Sequence, residues 1–360
     1  MPDGPVIAPA LRACGWRDDL PAAAALDQTS GRVVRVIEQH RSGYRVTDGE
    51  TDFAAQAPVA WTRKNIEPEA RAAVGDWVLL DPSHDRIERL LPRTALLRRA
   101  AAGEHYRTQL IAANVDTVFV VSGLDLDFNP RRLERYVMLA RSAGSQPVII
   151  LTKRDLNPEW QACCDELASL CDDGVPIVAL NARELAARDV LAPWTAAGQT
   201  IALLGSSGAG KSTLTNALLG IERQKTGAVR ETDSRGRHTT THRSLIVLPG
   251  GACLIDTPGM RELKLVGDEA VTSAGFADVE ALAEQCRFRD CKHDREPGCA
   301  VQQALEDGEL DPARWAQYGK LQDELVTARE AQEALRARRA DEKMMGRALN
   351  KRLKEKYGRR

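Results

Sequence analysis

The sequence contains no long hydrophobic run. Nowhere in its 360 residues does an uncharged apolar stretch approach the roughly twenty residues that a membrane-spanning helix needs. The first residues also lack a basic segment followed by an apolar core, which is the pattern of a secretory signal. We therefore expect a cytoplasmic protein without a membrane partner. With 43% hydrophobic and 28% charged residues, the chain can bury two or three cores.

The sequence also lacks a large net charge, because 50 Lys and Arg residues oppose 51 Asp and Glu residues. The charge is unevenly spread, however. Residues 331–360 contain eleven Lys or Arg against four Asp or Glu, an excess of seven positive charges. A local excess of this kind can bind phosphate groups although the whole chain is nearly neutral. Helical spacing and few aromatics predict an extended basic helix there, and a solvated or disordered tail is the alternative.

A phosphate-binding loop is the first chemical signature. Residues 205–212 read Gly-x4-Gly-Lys-Ser, in which glycines let backbone N–H groups surround phosphates, the lysine reaches the β and γ phosphates, and the hydroxyl binds Mg²⁺. The run 200–204 predicts a buried strand before the loop, and 211–219 predicts a helix whose N-terminus faces the phosphates. The predicted contacts are Gly205, Ser206, Ser207, Gly208, Ala209, Gly210, Lys211, Ser212 and Thr213, with Ser212 also holding Mg²⁺.

A base-reading segment and a second metal-sensing segment accompany this loop. The sequence Thr152, Lys153, Arg154, Asp155 follows the apolar run 147–151, so it lies at the carboxyl end of a predicted strand. There the Asp155 carboxylate can accept two hydrogen bonds from guanine, which adenine cannot donate in that arrangement. After another predicted strand, Asp256 is expected to hold Mg²⁺ through water, and the N–H of Gly259 to sense the γ-phosphate.

These three segments occur in a rotated order. In an ordinary GTPase the phosphate loop comes first and the guanine-reading segment last, whereas here residues 152–155 precede the phosphate loop. Together with Asp127-Phe128-Asn129-Pro130, the segment 237–241 (Arg-His-Thr-Thr-Thr) and the spacing Cys286-x4-Cys291-x-His293-x5-Cys299, this order resembles the RsgA family of circularly permuted GTPases over residues 31–301. The resemblance implies binding to the small ribosomal subunit through rRNA, late in its maturation. It further implies that the subunit stimulates hydrolysis and that hydrolysis is coupled to release.

Three of the eight cysteines fall close to a histidine in a polar segment. Three thiolates and one imidazole satisfy tetrahedral Zn²⁺, and a segment with so few apolar residues needs such a ligand to hold its shape. We predict one structural zinc ion per chain, and a loop of reduced cysteines is the alternative. Among the others, Cys163, Cys164 and Cys171 recur at helical spacing and are expected to pack as small apolar residues. The predicted zinc ligands are Cys286, Cys291, His293 and Cys299.

The pattern of elements predicts a multi-domain fold. Residues 1–30 form an extension to which we assign no role. Residues 31–98 contain five short β-like runs and predict an OB-fold β-barrel. Periodicity alone indicates only a small β-barrel, and the resemblance adds RNA binding. Residues 99–267 alternate strands and helices as a circularly permuted α/β GTPase domain, and 268–360 form a helical zinc-binding domain with the basic tail. The basic candidates for RNA contact on the barrel are Arg41, Arg45, Arg63 and Lys64.

The group that orients the attacking water is not evident. Many GTPases carry glutamine after the glycine of this motif, but the chain has Met260, whose thioether cannot orient water by strong hydrogen bonds. We therefore expect slow intrinsic hydrolysis. The polar segment 222–242 is expected to act as a mobile switch, in which His238 positions water and Thr240 binds Mg²⁺. A solvent-facing loop histidine is the alternative role for His238. The predicted catalytic residues are His238, Thr240, Asp256 and Gly259.

We thus predict a monomeric GTPase that requires GTP and Mg²⁺, releases GDP, and binds the small ribosomal subunit and its rRNA. Two other classes remain open at this stage. One is a P-loop ATPase or kinase, which Asp155 argues against. The other is a nucleotide-regulated RNA-binding module with negligible turnover, for which Met260 leaves room.

Overall fold

The computed structural model describes residues 7–26, 31–40, 43–63, 66–81, 83, 86–100, 108–125, 127–171, 174–184, 186–220, 244–256, 276–288, 291–294, 296–312, 314–316, 318–319, 322–323 and 326. Two structural units are present. The first contains residues 1–98 and 109–263, and the second contains residues 99–108 and 264–360. Among the described residues, no helix has the length and apolar character to cross a membrane.

The five N-terminal strands pair with one another to form a small closed β-barrel. The first strand pairs antiparallel with the second and the fourth, the third pairs with the second, and the fifth pairs with the fourth. A parallel bridge between Gln56 and Arg86 then brings the end of the third strand to the start of the fifth. The runs of alternating residues in the sequence predicted these strands. They are β1 (Arg32–His40), β2 (Gly43–Thr47), β3 (Asp52–Ala55), β4 (Trp77–Leu80) and β5 (Ile87–Leu90).

Both faces of β1 and β4 are buried, because each strand has a core on either side. Since side chains alternate along a strand, Val34 and Val78 point into the space that the five strands enclose. Val33 and Trp77 point outward and pack against residues 7–26. The outer core explains why all four residues of β4 are buried.

The extension to which the sequence assigned no role therefore covers the barrel. Its described part contains a 3-10 helix at Pro9–Cys14 and the short helix α1 (Pro21–Ala24). Trp16 lies between them, 2% exposed, with its ring edge-on to Trp77 at a centroid distance of 4.9 Å. A segment of such short turns has no sustained period, so its apolar anchors gave no recognisable pattern.

The central strands form the mainly parallel sheet that the sequence predicted. In the order β10-β9-β8-β11-β13-β12, all neighbours are parallel except β12, which runs antiparallel to β13. The strands β6 and β7 form a separate two-stranded sheet. The strands are β6 (Leu96–Ala100), β7 (Thr108–Ala113), β8 (Thr117–Gly123), β9 (Gln146–Thr152), β10 (Ile177–Ala179), β11 (Thr200–Leu204), β12 (Ser244–Val247) and β13 (Cys253–Asp256); the helices are α2 (Pro130–Ser142), α3 (Trp160–Leu170), α4 (Ala186–Val190) and α5 (Lys211–Leu219).

The sheet order accounts for the rotated motifs. The strand that leads into the phosphate loop, β11, lies between β8 and β13 in the middle of the sheet. If the chain were cut between β10 and β11 and its ends joined, β11 would come first and the strands β8 to β10 last. The permutation therefore changes which strands the chain connects and leaves the same strands as neighbours.

A buried arginine joins the barrel to the central sheet. Arg35, on the outer face of β1, is 1% exposed. It donates hydrogen bonds to the Gly75 carbonyl (3.2 Å), to the Thr200 hydroxyl (2.9 Å) and to the carbonyls of Cys14 and Asn114. Its guanidinium lies 4.7 Å from the centre of the Trp77 ring. Burial lowers the pKa of Arg35, and nearby negative charge opposes that change. The N-terminal segment, the barrel and the central sheet thus share one cation.

The second unit has its own small core. It contains the helices α6 (Ala277–Glu284) and α7 (Ala300–Glu306), and residues 314–316 and 322–323 are also helical. Phe276 and Val279 from the first helix region are fully buried, as is Val301 on α7. Arg314 pairs with Asp278 at 2.7 Å and lies 5.0 Å from the centre of the Phe276 ring.

Replacing Arg35 with methionine is expected to destabilise the protein. The variant Arg35→Met keeps an unbranched side chain about as long as the aliphatic part of arginine. It leaves several buried acceptors without a donor, at a cost of about 3 kcal/mol or more in the free energy of unfolding. Urea denaturation measures the change. The matched control is Arg12→Met, because Arg12 is 65% exposed in its pair with Asp18 and should lose about 0.5 kcal/mol or less. Equal losses in the two variants would show that Arg35 does not hold the unit together.

Candidate nucleotide-binding site and metal-ligand cluster

The phosphate loop begins where the buried strand β11 ends. A Cβ atom on Gly205 would lie 2.1 Å from the Val121 carbonyl oxygen, so this position accepts only glycine next to β8. Gly210, with φ of 93°, precedes the first residue of α5. The loop therefore delivers the N-terminus of α5, whose free N–H groups and positive dipole end attract anions.

The lysine of the loop lies against the loop itself. The Lys211 ammonium donates to the Gly205 carbonyl at 2.8 Å and to the Ser206 carbonyl at 2.5 Å. Ser207 in the loop and Ser212 at the start of α5 are exposed, whereas Ala209 is fully buried. A cation, two hydroxyls and the N-terminus of a helix thus occupy one edge of the sheet.

The predicted base-reading segment lies next to this loop. Thr152, the last residue of β9, is buried and its hydroxyl donates to the Ala209 carbonyl at 2.7 Å. A Cβ atom on Gly210 would lie 2.8 Å from that hydroxyl oxygen. Asp155 follows in an exposed turn, where a ligand can reach its carboxylate. The structure therefore brings together two motifs that are 57 residues apart in the chain.

The loop between β8 and α2 contacts both motifs, which sequence reasoning did not foresee. Asp125 accepts a hydrogen bond from Lys153 at 2.5 Å, and Asp127 accepts one from the Ser206 hydroxyl at 2.5 Å. Arg132 pairs with Asp127 at 2.7 Å. The sequence carried two signals for this loop. It contains the motif at 127–130, and it follows the carboxyl end of a predicted strand, where ligands of open α/β sheets bind.

Asp256 ends β13, which is the parallel neighbour of β11. The expected Mg²⁺ ligand thus lies at the same edge of the sheet as the phosphate loop, and it is partly exposed. The remaining predicted residues of the catalytic set, His238, Thr240 and Gly259, lie outside the described residues. So do Met260, the other residues of the segment 222–242, and the basic tail 331–360.

The four predicted metal ligands meet in the second unit. The ligand atoms of Cys286, Cys291, His293 and Cys299 all lie within 4.8 Å of one another. The Nδ1 atom of His293 is 3.5 Å from the Sγ atoms of both Cys286 and Cys299, and those two sulfurs are 3.9 Å apart. All eight cysteines of the chain are without a disulfide. The cluster could therefore hold a metal ion.

Backbone groups hold this cluster in shape. Cys299 is the N-cap of α7, and its sulfur accepts a hydrogen bond from the Gln302 N–H at 3.4 Å. The Gln302 side chain donates to the His293 carbonyl at 2.6 Å. The Glu296 carboxylate accepts from the N–H groups of Lys292 and Asp294, at 3.0 and 2.9 Å. The ligands are thus positioned by the start of a helix and by one carboxylate.

The thiols of the cluster differ in acidity. Desolvation opposes ionisation of Cys286, but hydrogen bonds from the N–H groups of Val301 and Ala300 lower its pKa. Desolvation raises the pKa of Cys291 to about 11, and the neighbouring thiols Cys299 and Cys286 add to that rise. Thiolates this close repel one another, and a bound cation removes that penalty.

The other cysteines lie in two environments. Burial raises the pKa of Cys14 to about 11, and burial also raises the pKa of Cys253. On α3, Leu167 is the one buried residue. Cys163 and Cys164 are only partly buried, so the helical period that predicted core positions for them overstated how much of α3 is covered, whereas Cys171 is buried.

Comparison with known proteins agrees with this arrangement. The family model described as RsgA GTPase matches residues 90–266. A "Small ribosomal subunit biogenesis GTPase RsgA" from Xanthomonas euvesicatoria pv. vesicatoria (strain 85-10) is 52% identical over 337 residues, covering 92% of each chain. The protein of the same name from Xylella fastidiosa (strain M23) is 54% identical over 325 residues, covering 88% of this chain and 97% of its own.

Two crystal structures share the fold. YjeQ from Thermotoga maritima has a TM-score of 0.59 and 25% sequence identity, covering 82% of this chain and 98% of its own. YloQ, described as a circularly permuted GTPase, has a TM-score of 0.55 at 23% identity, covering 82% of this chain and 95% of its own. The permuted sheet, the paired nucleotide motifs and near full-length relatives of more than half identity agree, and the chain belongs to the RsgA GTPase family as an enzyme that hydrolyses GTP.

Proposed function

We propose that this GTPase acts in late maturation of the small ribosomal subunit, that the subunit stimulates its hydrolysis of GTP, and that hydrolysis is coupled to its release. The observation that carries the proposal is the alignment over 92% of both chains with a relative named for small ribosomal subunit biogenesis. The chain therefore has the length to carry the same regions as that relative, and its fold brings the phosphate loop and the base-reading segment together.

The proposed nucleotide site divides into a base side and a phosphate side. On the base side, Asp155 accepts hydrogen bonds from guanine, and Lys153 is a further proposed contact. On the phosphate side, the loop N–H groups and Lys211 bind the β and γ phosphates, with Mg²⁺ held by Ser212 and, through water, by Asp256. The proposed contacts that complete the site are Thr152 and Arg154 on the base side, residues 205–210 and Thr213 on the phosphate side, and Thr240 and Gly259 in the switches.

Hydrolysis needs a group that orients water, and Met260 does not supply one. Phosphoryl transfer depends mainly on positioning and on electrostatic stabilisation of the phosphate oxygens. The proposed water-orienting residue is His238, whose neutral imidazole can accept a hydrogen bond. In this proposal the ribosomal subunit accelerates hydrolysis by holding the switch residues in place.

The N-terminal strands support an OB-fold as the RNA-binding domain at residues 31–98. β1 pairs with both β2 and β4, and the bridge between Gln56 and Arg86 joins the ends of β3 and β5, as in a five-stranded Greek-key barrel. Arg45 and Arg63 are exposed on this barrel. The two other proposed RNA contacts, Arg41 and Lys64, lie outside the described residues. The proposed GTPase domain is 99–267 and the zinc-binding domain 268–360.

Zinc is the metal that the distances of the cysteine cluster support. A tetrahedral ion with Zn–S bonds of about 2.3 Å and a Zn–N bond of about 2.0 Å separates two sulfurs by about 3.8 Å and a sulfur from a nitrogen by about 3.5 Å. The corresponding distances here are 3.9 and 3.5 Å. Four protein ligands leave no open position for water, so we propose that the ion is structural.

Phosphate release in the presence of small ribosomal subunits tests the proposal directly. The full chain is mixed with GTP or ATP, with and without purified small subunits, at a stated salt concentration. We expect strong stimulation with GTP only, because the subunit orders the switches and Asp155 selects guanine. GTP binding without stimulated turnover would favour a nucleotide-regulated RNA-binding module, and turnover of ATP would favour a P-loop ATPase.

The variant Asp155→Asn should lose its preference for guanine. Asparagine keeps one acceptor oxygen but replaces the other with an NH₂ donor that faces a donor of guanine. The loss of that charge-assisted hydrogen bond, worth about 1.5–3 kcal/mol, should lower GTP affinity at least about tenfold. Affinity for ATP should not change. Titration of both nucleotides measures the effect, and Asp165→Asn is the control because Asp165 is an exposed carboxylate on α3. Unchanged GTP affinity in Asp155→Asn would exclude this residue from the base site.

Zinc content tests the metal proposal. Elemental analysis of the purified chain should find one zinc ion, and Cys286→Ser should reduce that content and the thermal stability of the second unit, because metal binding is coupled to folding there. Cys163→Ser serves as the control, since Cys163 lies outside the cluster. Full zinc content in Cys286→Ser would contradict the assignment of this ligand.

A further inference from the structure

The loop between β8 and α2 reaches both halves of the proposed nucleotide site. The family motif that contains Asp127 was identified in the sequence without a chemical role. In the structure, Asp125 contacts Lys153 on the base side, while Asp127 contacts Ser206 on the phosphate side. Two carboxylates separated by two positions in the sequence thus serve different halves of the site.

Asp127 uses both of its carboxylate oxygens. Oδ2 accepts from the Ser206 hydroxyl at 2.5 Å and from the Gly123 N–H at 3.5 Å, and Oδ1 accepts from Arg132 at 2.7 Å. The side chain is only 17% exposed. Both oxygens of Asp127 are thus bonded to groups of the protein, namely Ser206, Gly123 and Arg132.

Ser206 connects this carboxylate to the lysine of the phosphate loop, Lys211. Its hydroxyl donates to Asp127, and its carbonyl accepts from Lys211 at 2.5 Å. A rotation of Ser206 would move both its own N–H and that carbonyl. The hydrogen bond from its hydroxyl to Asp127 restricts that rotation.

Arg132 offsets the negative charge of Asp127 next to the proposed phosphate site. A bare negative charge beside a phosphate site would repel the ligand, and a paired guanidinium offsets that charge. The backbone N–H of Arg132 donates to the side chain of the N-cap Asn129 at 3.0 Å, so Arg132 lies in the first turn of α2. The phosphate loop is thereby tied to the first turn of a helix that packs on the sheet.

We propose that Asp127 is a positioning residue for the phosphate loop, acting through the Ser206 hydroxyl and supported by Arg132. It fixes the loop in the conformation that binds the β-phosphate, and it does not read the base. The proposal rests on the proposed nucleotide site, because residues 205–212 must be the phosphate-binding loop for the positioning to matter.

GDP binding in a double-mutant cycle tests the proposal. The full chain, Asp127→Ala, Ser206→Ala and the double variant are titrated with GDP, so that hydrolysis does not interfere. Loss of a hydrogen bond to a charged group weakens binding by about tenfold, so each single variant should bind GDP about tenfold more weakly. Because both substitutions remove the same contact, the double variant should bind no more weakly than either single one. If the two substitutions acted independently, the double variant would bind GDP about a hundredfold more weakly, and that result would overturn the proposal.

Further variants separate positioning from loss of structure. Asp127→Asn keeps an acceptor oxygen for Ser206 and should recover most of the GDP affinity, whereas Asp125→Asn should change the preference for guanine over adenine nucleotides without this coupling to Ser206. Asp165→Ala, which removes an exposed carboxylate on α3, is the control for loss of a negative charge.

If Asp127→Ala fails to fold, Ser206→Ala tests the proposal by itself, since unchanged GDP affinity in that variant refutes the positioning role of Asp127. Failure of the unsubstituted chain to bind GDP would instead refute the nucleotide site itself.

Discussion

The buried guanidinium of Arg35 is the contact on which the first structural unit depends. A cation taken out of water is tolerated only where its N–H groups find acceptors, and here those acceptors come from separate parts of the chain. Cys14 belongs to the N-terminal segment, Gly75 to the barrel and Thr200 to the strand before the phosphate loop. This side chain reinforces the place where the barrel joins the central sheet, since β1 also pairs antiparallel with β12 at Glu38 and Ser244. The ion pair between Arg17 and Asp116 reinforces this connection at 2.9 Å.

The nucleotide site follows from the parallel strands of that sheet. The carboxyl ends of β8, β9, β11 and β13 lie at one edge, and residues proposed for the site lie at or just after each of these ends. The permutation does not disturb this edge, because spatial neighbours are kept when the chain connections change. The hydrogen bond from Thr152 to Ala209 then brings the base-reading segment against the phosphate loop. The loop that carries Asp125 and Asp127 adds a third connection between them.

The second unit reaches a stable shape by a different route. Its polar segment 286–299 contains few apolar residues, so hydrophobic burial alone cannot hold it. A helix N-terminus and the Glu296 carboxylate place the four ligand atoms close together. The four residues lie within fourteen positions of the sequence. The cluster could therefore be predicted from the spacing of its cysteines and histidine alone.

Local features of this protein were determined by its sequence alone. The strands β1 to β5, the buried strand β11 and the helix that follows it were predicted from period and turn residues, and the motifs at 152–155 and 205–212 from the chemistry of their side chains. Only the tertiary structure decided the positions of Arg35, Trp16 and Asp127. Their partners lie far away in the chain: Arg35 and Thr200 are 165 positions apart, and Asp127 and Ser206 are 79 positions apart. Periodicity reports which face of an element is buried, but it does not report which distant group completes a buried hydrogen bond.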